Sequence, residues 1–599
     1  MSNYLQSRKP WIENSAFPVF VFLLIGVAIY SNTLHSPFVF DDGPSITRNP
    51  TIKSLENFFG NSTGYDKYPT RFIGYLTFAL NYAFGAFDPF GYHIFNLTIH
   101  MINSLLVYFF VLITFHTPFM KKSLPEATAR EISLISGMLF LVHPVQTGAV
   151  TFVVQRLTSL TTTFYLVSLF FYVKSRIQYV SRSNNSENIF LLYSACSLIF
   201  CLMAMKTKEI SFTLPFIILV YECSFFDGPF MRRACFLFPF LLSLLIIPLS
   251  LIDVRAPLGE VLSDIDNATK VQTDLSRGEY LLTQLSVIVT YIRLLILPIN
   301  QNLDYDYPIY RSLFDPRIFF CAGFLLFLFG IALWFFFRSR RPSSASFRVL
   351  SFGIFWFFVT LSIESSLVPI VDVIFEHRIY LPSVGAFLSL AVAASLISGK
   401  WNSKAWTWML ILIMATFSVA TYKRNMIWRD DLSLWSDNVK KSPGKGRPHY
   451  NLGNSYYLRG MAYEAIQEFQ EAIRMNSSYA DAYLNLGVAY ASIGEEEKAM
   501  AALHKAIQFK PDDPESHYNL GLLYGNKGSG NLAIEQYKKA LSLNPASVNA
   551  RNNLGIALAE SGRIDEAIDQ FREGLRLFPG DEELRKNFEN AYKLKSLSK

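Results

Sequence analysis

Two aspartates, Asp41 and Asp42, stand side by side in the stretch LHSPFVFDDGPSITRNP (34–50), directly after an apolar run from Phe17 to Tyr30. Vicinal carboxylates at the edge of a membrane segment are costly, and they have uses: one can take the proton of a hydroxyl nucleophile, or both can share a divalent cation. A plainer role is also open, since two acids can simply end a helix at an interface. Further along, His143 and Arg156 bracket the stretch HPVQTGAVTFVVQR, Lys206, Lys208 and Glu209 lie in KTKE, and Glu376, His377 and Arg378 lie in FEHRIYLPS. Each alone would serve as an interfacial anchor. Together they form a set of carboxylates with surplus cations, as a reaction on an anionic, lipid-linked substrate requires.

To act together these residues must share one face of a membrane. Of the 599 residues 51% are hydrophobic and 17% charged, which is more apolar than a soluble chain, and the apolar matter comes in blocks. Spans are expected at 16–34, 94–116, 131–147, 157–173, 188–206, 209–226, 234–252, 317–337, 349–370, 384–398 and 405–422, about eleven in all. Cations cluster in particular loops: Arg8 and Lys9; Lys121, Lys122 and Arg130; Lys174, Arg176 and Arg182; Arg232 and Arg233; Arg338, Arg340, Arg341 and Arg348; Lys400 and Lys404. That is the bias of cytoplasmic loops, so the N-terminus is expected inside and, with an odd number of spans, the tail outside. The outer face then collects the segment after Asp41 and Asp42 and the loops 143–156, 206–209, 253–279, 302–308 and 375–383. The segment 280–298 carries Arg293, and if it spanned, the very basic loop 338–348 would face outward. A re-entrant or interfacial helix is therefore expected there. A cleaved signal peptide at 17–30 is disfavoured, because no small-residue cleavage site follows and many spans do.

The formal charge of +7 excludes no membrane role and gives no nucleic-acid signature, because acids and bases balance in the tail after Pro443. The five cysteines, Cys196, Cys201, Cys223, Cys235 and Cys321, lie in or beside apolar segments, so neither a disulfide framework nor a metal-binding spacing is implied. The tail repeats instead. Gly453, Gly487, Gly521 and Gly555 recur every 34 residues, as do Ala465, Ala499, Ala533 and Ala567, which is the tetratricopeptide period. Leu452, Tyr456 and Phe469 with their counterparts fill the seam, and Pro511, Pro545 and Pro579 break between repeats. Trp435 stands 34 before Phe469, so 428–445 reads as a half-repeat that leads from a membrane part at 1–427 into four repeats at 446–581, with a capping helix at 582–599. The expected fold is all-α, a polytopic helical membrane domain followed by a tetratricopeptide solenoid. Asn451, Asn485, Asn519 and Asn553 hold one repeat position, where side-chain amides can bind the backbone of an extended acceptor peptide; Asn is also simply a favoured residue there.

On FVFDD, the stretch 68–96, HPVQTGAV with Arg156, KTKE, EHRIYLPSVG (376–385) and WRDDLSLW, the chain resembles the transmembrane and tetratricopeptide-repeat-containing O-mannosyltransferase (TMTC) family. Nearly the whole chain is covered. Where the family pattern has an acid shortly after His-Pro, this chain has Gln146 and Thr147. The resemblance implies a GT-C-type membrane domain with the repeats on the lumenal or periplasmic side. It implies transfer of a sugar, mannose foremost, from a polyprenyl or dolichyl phosphate to a Ser/Thr hydroxyl, with inversion and without an obligatory metal or nucleotide-sugar. In that reading Asp41 or Asp42 takes the acceptor's proton, Asp41 being preferred as base and Asp42 as orienting group. Arg156, Lys206, Lys208, His377 and Arg378 stabilise the departing phosphate, and His143, Glu209 and Glu376 are further candidates on the same face. The partners are then a lipid-linked sugar and an acceptor protein. A divalent metal on the Asp pair stays open. Two other classes remain: a non-catalytic membrane scaffold for envelope assembly, and a transferase that modifies glycans or lipids.

Overall fold

The computed structural model describes residues 16–60, 63–121, 123–181, 186–251, 275–339, 344–365, 369–398 and 403–597. Arg8, Lys9, Lys122, Arg182, Arg340, Arg341, Lys400 and most of the loop 253–279 lie outside the described residues. Among the described residues every regular element is a helix, so the chain is all-α. It divides into two units, one comprising the chain up to Leu303 with Tyr307–Asp430, the other Asp431–Lys599 with Asp304–Asp306.

In the first unit seven helices among the described residues are long and apolar enough to cross a bilayer: Ala16–Thr33, Pro89–Thr114, Glu187–Met205, Phe230–Leu251, Arg277–Ile296, Pro316–Arg338 and Lys404–Ile427. This is a membrane protein. An eighth crossing is made if Glu126–Val142 and Pro144–Val150, bent by 51°, form one span. The bend falls where Pro144 removes a helical N–H, and His143 caps the new turn by accepting the Val145 N–H at 3.2 Å.

Three segments differ from expectation. The segment 209–226 is a short turn, Glu209–Thr213, followed by Leu214–Phe225, whose 12 residues reach only about 18 Å against a hydrocarbon core of about 30 Å. The segment 157–173 sits within Arg156–Ser181, a long helix but one diluted by Ser, Thr and charge. The segment 280–298, expected to be re-entrant or interfacial, contains a continuous helix of spanning length, Arg277–Ile296, opened by a Ser276–Glu279 capping box. Its Arg293 lies in the last turn and reaches past the helix end to the Ile299 carbonyl at 3.0 Å, so the charge does not interrupt the apolar stretch.

A polar stripe organises this unit. Along Pro89–Thr114, His93, Asn96, His100 and Asn103 recur at helical spacing and are all buried. His100 meets the Tyr380 hydroxyl at 2.8 Å and the Leu141 carbonyl at 3.1 Å, and Asn103 donates to the Ser159 carbonyl at 2.8 Å and to Tyr380 at 3.1 Å. These bonds tie the helix to three other segments, at Leu141, Ser159 and Tyr380, the role polar side chains take where packing alone is weakly directional. Ala345–Leu361 and Pro382–Ser398 cross with Gly353 against Gly385; a Cβ on Gly353 would stand 2.5 Å from the Gly385 carbonyl oxygen. The turn Glu376–Ile379 precedes the second of these helices.

The second unit is a stack of helix pairs. The single helix Asp431–Lys441 is followed by Gly446–Tyr457 with Ala462–Met475, Ala480–Ser492 with Glu496–Phe509, Pro514–Asn526 with Gly530–Leu543, Val548–Glu560 with Ile564–Leu577, and then Glu582–Leu597. The glycine of each first helix is required by its partner helix: a Cβ would come within 2.6 Å of Phe469 at Gly453, 2.8 Å of Leu503 at Gly487, 2.7 Å of Tyr537 at Gly521 and 2.5 Å of Phe571 at Gly555. A second glycine ends each first helix with a left-handed backbone, φ 74–79° at Gly460, Gly494, Gly528 and Gly562.

Candidate active site

The two aspartates, equivalent in sequence, are separated by the fold. Asp42 is fully buried; its Oδ2 accepts the Val39 N–H at 3.0 Å and its Oδ1 accepts the Val154 N–H at 2.7 Å. It closes its own turn and pins that turn to the segment before Arg156. Burial pushes its carboxyl up from 3.8 to about 7, against the pull of the backbone N–H groups. Asp41 stays partly exposed at the start of the turn Gly43–Thr47, its carbonyl accepting the Ser45 N–H at 3.1 Å.

The Asp42 shift fixes a pH dependence. Between pH of about 4 and about 7 the unfolded chain has released this proton and the folded chain has kept it, so stability falls as pH rises through that window and is flat above it. Melting of detergent-solubilised protein, wild type against Asp42→Asn, is expected to show this decline in the wild type alone. A wild-type midpoint that rises relative to the variant across the same window overturns the assignment.

Arg156 is fully buried and its guanidinium is spent inside the protein. Nε donates to Asn96 Oδ1 at 2.7 Å, Nη1 to Asn81 Oδ1 at 2.5 Å and to the Thr77 carbonyl at 3.2 Å, and Nη2 to the Tyr92 carbonyl at 3.1 Å. Phe78 and Phe95 flank it, each ring centre 4.6 Å away. Lys206 is similarly engaged: its Nζ donates to the Tyr65 hydroxyl at 2.8 Å, Ser250 Oγ at 2.6 Å and the Pro69 carbonyl at 3.2 Å. An ammonium has three N–H donors, so these contacts use all of them.

Lys208, His377 and Arg378 come together. Lys208 Nζ pairs with Glu364 Oε1 at 2.8 Å and donates to Thr158 Oγ1 at 2.9 Å. His377 stacks on Phe375, ring centres 5.1 Å apart, and burial together with the neighbouring Lys208 and Arg378 charges holds it well below its ordinary value, hence neutral. Arg378 donates to the carbonyls of Asp372 at 2.7 Å and Val373 at 3.2 Å, and Tyr280, Tyr291 and Glu364 lie within its electrostatic reach. Glu209 forms a two-pronged pair with Arg71, 2.9 and 3.1 Å, and accepts from Thr70 at 2.8 Å. Arg71 lies within electrostatic reach of Glu364 and of Tyr75, and Tyr75 stacks on Tyr68 with ring centres 3.6 Å apart. Arg71 and Arg378 thus both lie within electrostatic reach of Glu364, the carboxylate that pairs with Lys208.

The remaining candidates are placed elsewhere. His143 packs among Phe387 and Phe417 at the helix bend, and Glu376 accepts the Asn302 N–H at 2.6 Å and Gln301 Nε2 at 2.8 Å, holding a loop. In the repeats the four asparagines alternate. Asn485 and Asn553 each donate to the tyrosine of the preceding repeat, Tyr450 and Tyr518, at 3.2 Å. Asn519, whose equivalent neighbour is Leu484, falls back on its own helix at Glu515, and Asn451 likewise on Arg447.

Sequence reasoning overlooked Arg71 and Glu364. Arg71 lies in YPTRF, and Glu364 is a carboxylate just beyond an apolar run, the same signal that singled out Asp41 and Asp42. No group of three or more His, Cys, Asp or Glu side chains able to hold a metal occurs among the described residues.

Comparison with known proteins adds independent findings. Tetratricopeptide repeat models match at 453–494, 489–528 and 518–582, so the second unit carries these repeats. The chain is 25% identical over 501 residues to the mouse (Mus musculus) protein O-mannosyl-transferase TMTC3, covering 78% of this chain and 52% of that protein. It is also 25% identical over 515 residues to the protein O-mannosyl-transferase F38B6.6 of Caenorhabditis elegans, covering 79% and 64%. The chain thus spans about half the length of the TMTC3 relatives it matches. A crystal structure of MamA aligns with 24% of this chain and 85% of its own at 29% identity, with a TM-score of 0.24.

Proposed function

We propose that this protein is a membrane glycosyltransferase that moves a sugar, mannose foremost, from a polyprenyl or dolichyl phosphate to Ser/Thr hydroxyls of extracytoplasmic proteins, with the repeats engaging the acceptor. The observation that carries the reading is the likeness to proteins named O-mannosyl-transferases, which extends through the membrane unit as well as the repeats. The site's chemistry agrees with it. Asp41 takes the acceptor proton as the hydroxyl oxygen attacks the anomeric carbon from the face opposite the leaving group, which inverts that centre. The sugar–phosphate bond breaks, its electron pair leaves on the lipid phosphate, and Lys208 and Arg378 stabilise the charge gathered there. Asp42 holds the Asp41 turn. Arg156 and Lys206, proposed from sequence as phosphate ligands, are assigned instead to building the site, because four of the five Arg156 donors and all three Lys206 donors are committed within the protein. The site and the repeats face the periplasm or the ER lumen, with the N-terminus cytoplasmic.

The test is transfer of radiolabelled mannose from polyprenyl-phosphate mannose to extracted envelope or secretory proteins by purified protein in detergent. Label released from Ser/Thr by β-elimination is the expected result. Label found only on glycan or lipid would move the acceptor to the other transferase class. No transfer to any acceptor from either lipid-phosphate donor would leave the scaffold reading.

A further inference from the structure

Glu364 carries an unused oxygen in the middle of the cation cluster. The residue follows the helix Ala345–Leu361 and is only 7% exposed. Its backbone is fixed from two sides, by the Tyr280 hydroxyl donating to its carbonyl at 3.0 Å and by the Ser365 N–H returning to the Leu361 carbonyl at 3.0 Å. Oε1 accepts from Lys208, whereas Oε2 is buried and has no hydrogen-bond partner among the described residues. A buried carboxylate oxygen left without a donor is unfavourable, and native proteins supply one. Lys208 in turn has one N–H beyond those given to Glu364 and Thr158 among the described residues.

The two openings are complementary in sign. A phosphate is an acceptor; it fits Lys208 and Arg378 and is repelled by Glu364. A hydroxyl is a donor; it fits Oε2. A sugar phosphate brings both in one molecule, the phosphate oxygens and the ring hydroxyls a short distance apart. We infer that Glu364 Oε2 accepts a hydroxyl of the donor sugar while Lys208 and Arg378 bind its phosphate, making Glu364 a specificity-determining residue for the sugar. This inference rests on the lipid-phosphate-sugar reading above. A carboxylate that served only as counter-ion to Lys208 would be indifferent to which hydroxyls the sugar carries, whereas a buried acceptor built for one hydroxyl rejects the analogue that lacks it.

The experiment measures kcat/KM for polyprenyl-phosphate mannose and a set of monodeoxy analogues, each lacking one hydroxyl, with wild type and Glu364→Gln. In the wild type one analogue is expected to fall by about 10²-fold, in line with a hydrogen bond to a charged group. In Glu364→Gln the parent donor falls and that same gap narrows to roughly a few-fold, the coupling a double-substitution cycle reads. The wild-type series needs no mutation and stands if the variant fails to fold. Wild-type turnover with no analogue singled out overturns the role of Glu364 alone, as does an identical penalty for the same analogue in both proteins. No wild-type turnover of the parent donor overturns the function reading, and this inference with it.

Discussion

Arg156→Met is expected to destabilise the membrane unit by about 3–5 kcal/mol, enough to lower the detergent melting midpoint by many degrees or to prevent folding. The argument is one of acceptors left behind. The substitution removes the donors that serve the side-chain oxygens of Asn96 and Asn81 and the carbonyls of Thr77 and Tyr92, and nothing apolar of the same shape can satisfy them. Asn96 would lose its orientation as well, and with it the donations it makes to the carbonyls of Val150 and Val153, beside the Val154 N–H that holds Asp42. Arg156→Lys retains the charge but not the planar fork, and is expected to recover only part of the loss. Thermal unfolding followed by size-exclusion chromatography reads both variants. A Met variant that melts like wild type but no longer binds polyprenyl phosphate would show the guanidinium to be a phosphate ligand after all.

That contrast marks what the chain makes legible before folding. The repeats are readable because every relevant contact lies within one or two 34-residue units: the glycine that lets Phe469 approach, and the left-handed glycine that turns the pair, sit at fixed offsets. The membrane unit offers no such period. Arg71 meets Glu209 across 138 residues, and Lys208 meets Glu364 across 156 (364 − 208), so charge type and position in the chain marked out Lys208 and Glu209 but not the side chains that neutralise them. Arg156 was legible as important and not as already engaged, because its acceptors are carbonyl and amide oxygens, which every segment has. The length of individual apolar segments was hard to read for a similar reason. Leu214–Phe225 is apolar with much of its surface buried in protein, and composition alone does not distinguish a protein interior from a lipid one. The polar stripe of His93, Asn96, His100 and Asn103 went unread in the sequence, though its helical spacing was an available sign that Pro89–Thr114 is a central helix.

Asp41→Asn is expected to lower kcat for transfer by about 10²–10⁴-fold while leaving the melting midpoint within about 0.5 kcal/mol of wild type in stability terms. The amide is isosteric and hydrogen-bonding but takes no proton at neutral pH, so what is lost is the proton acceptor at the moment the hydroxyl becomes a nucleophile. Binding of the lipid-phosphate sugar should be little changed, because the phosphate is held at Lys208 and Arg378, and KM should therefore move far less than kcat. Asp42→Asn is the informative partner. It presents an amide N–H toward a backbone N–H that now meets a carboxyl oxygen, so its defect should appear first as lost stability, and as lost activity only through the turn it holds. The two adjacent substitutions thus give opposite signatures, chemistry without unfolding at Asp41 and unfolding ahead of chemistry at Asp42. Wild-type kcat in Asp41→Asn would remove this residue from proton transfer, and the pattern reversed between the two aspartates would make Asp42, whose carboxyl titrates near pH 7, the base.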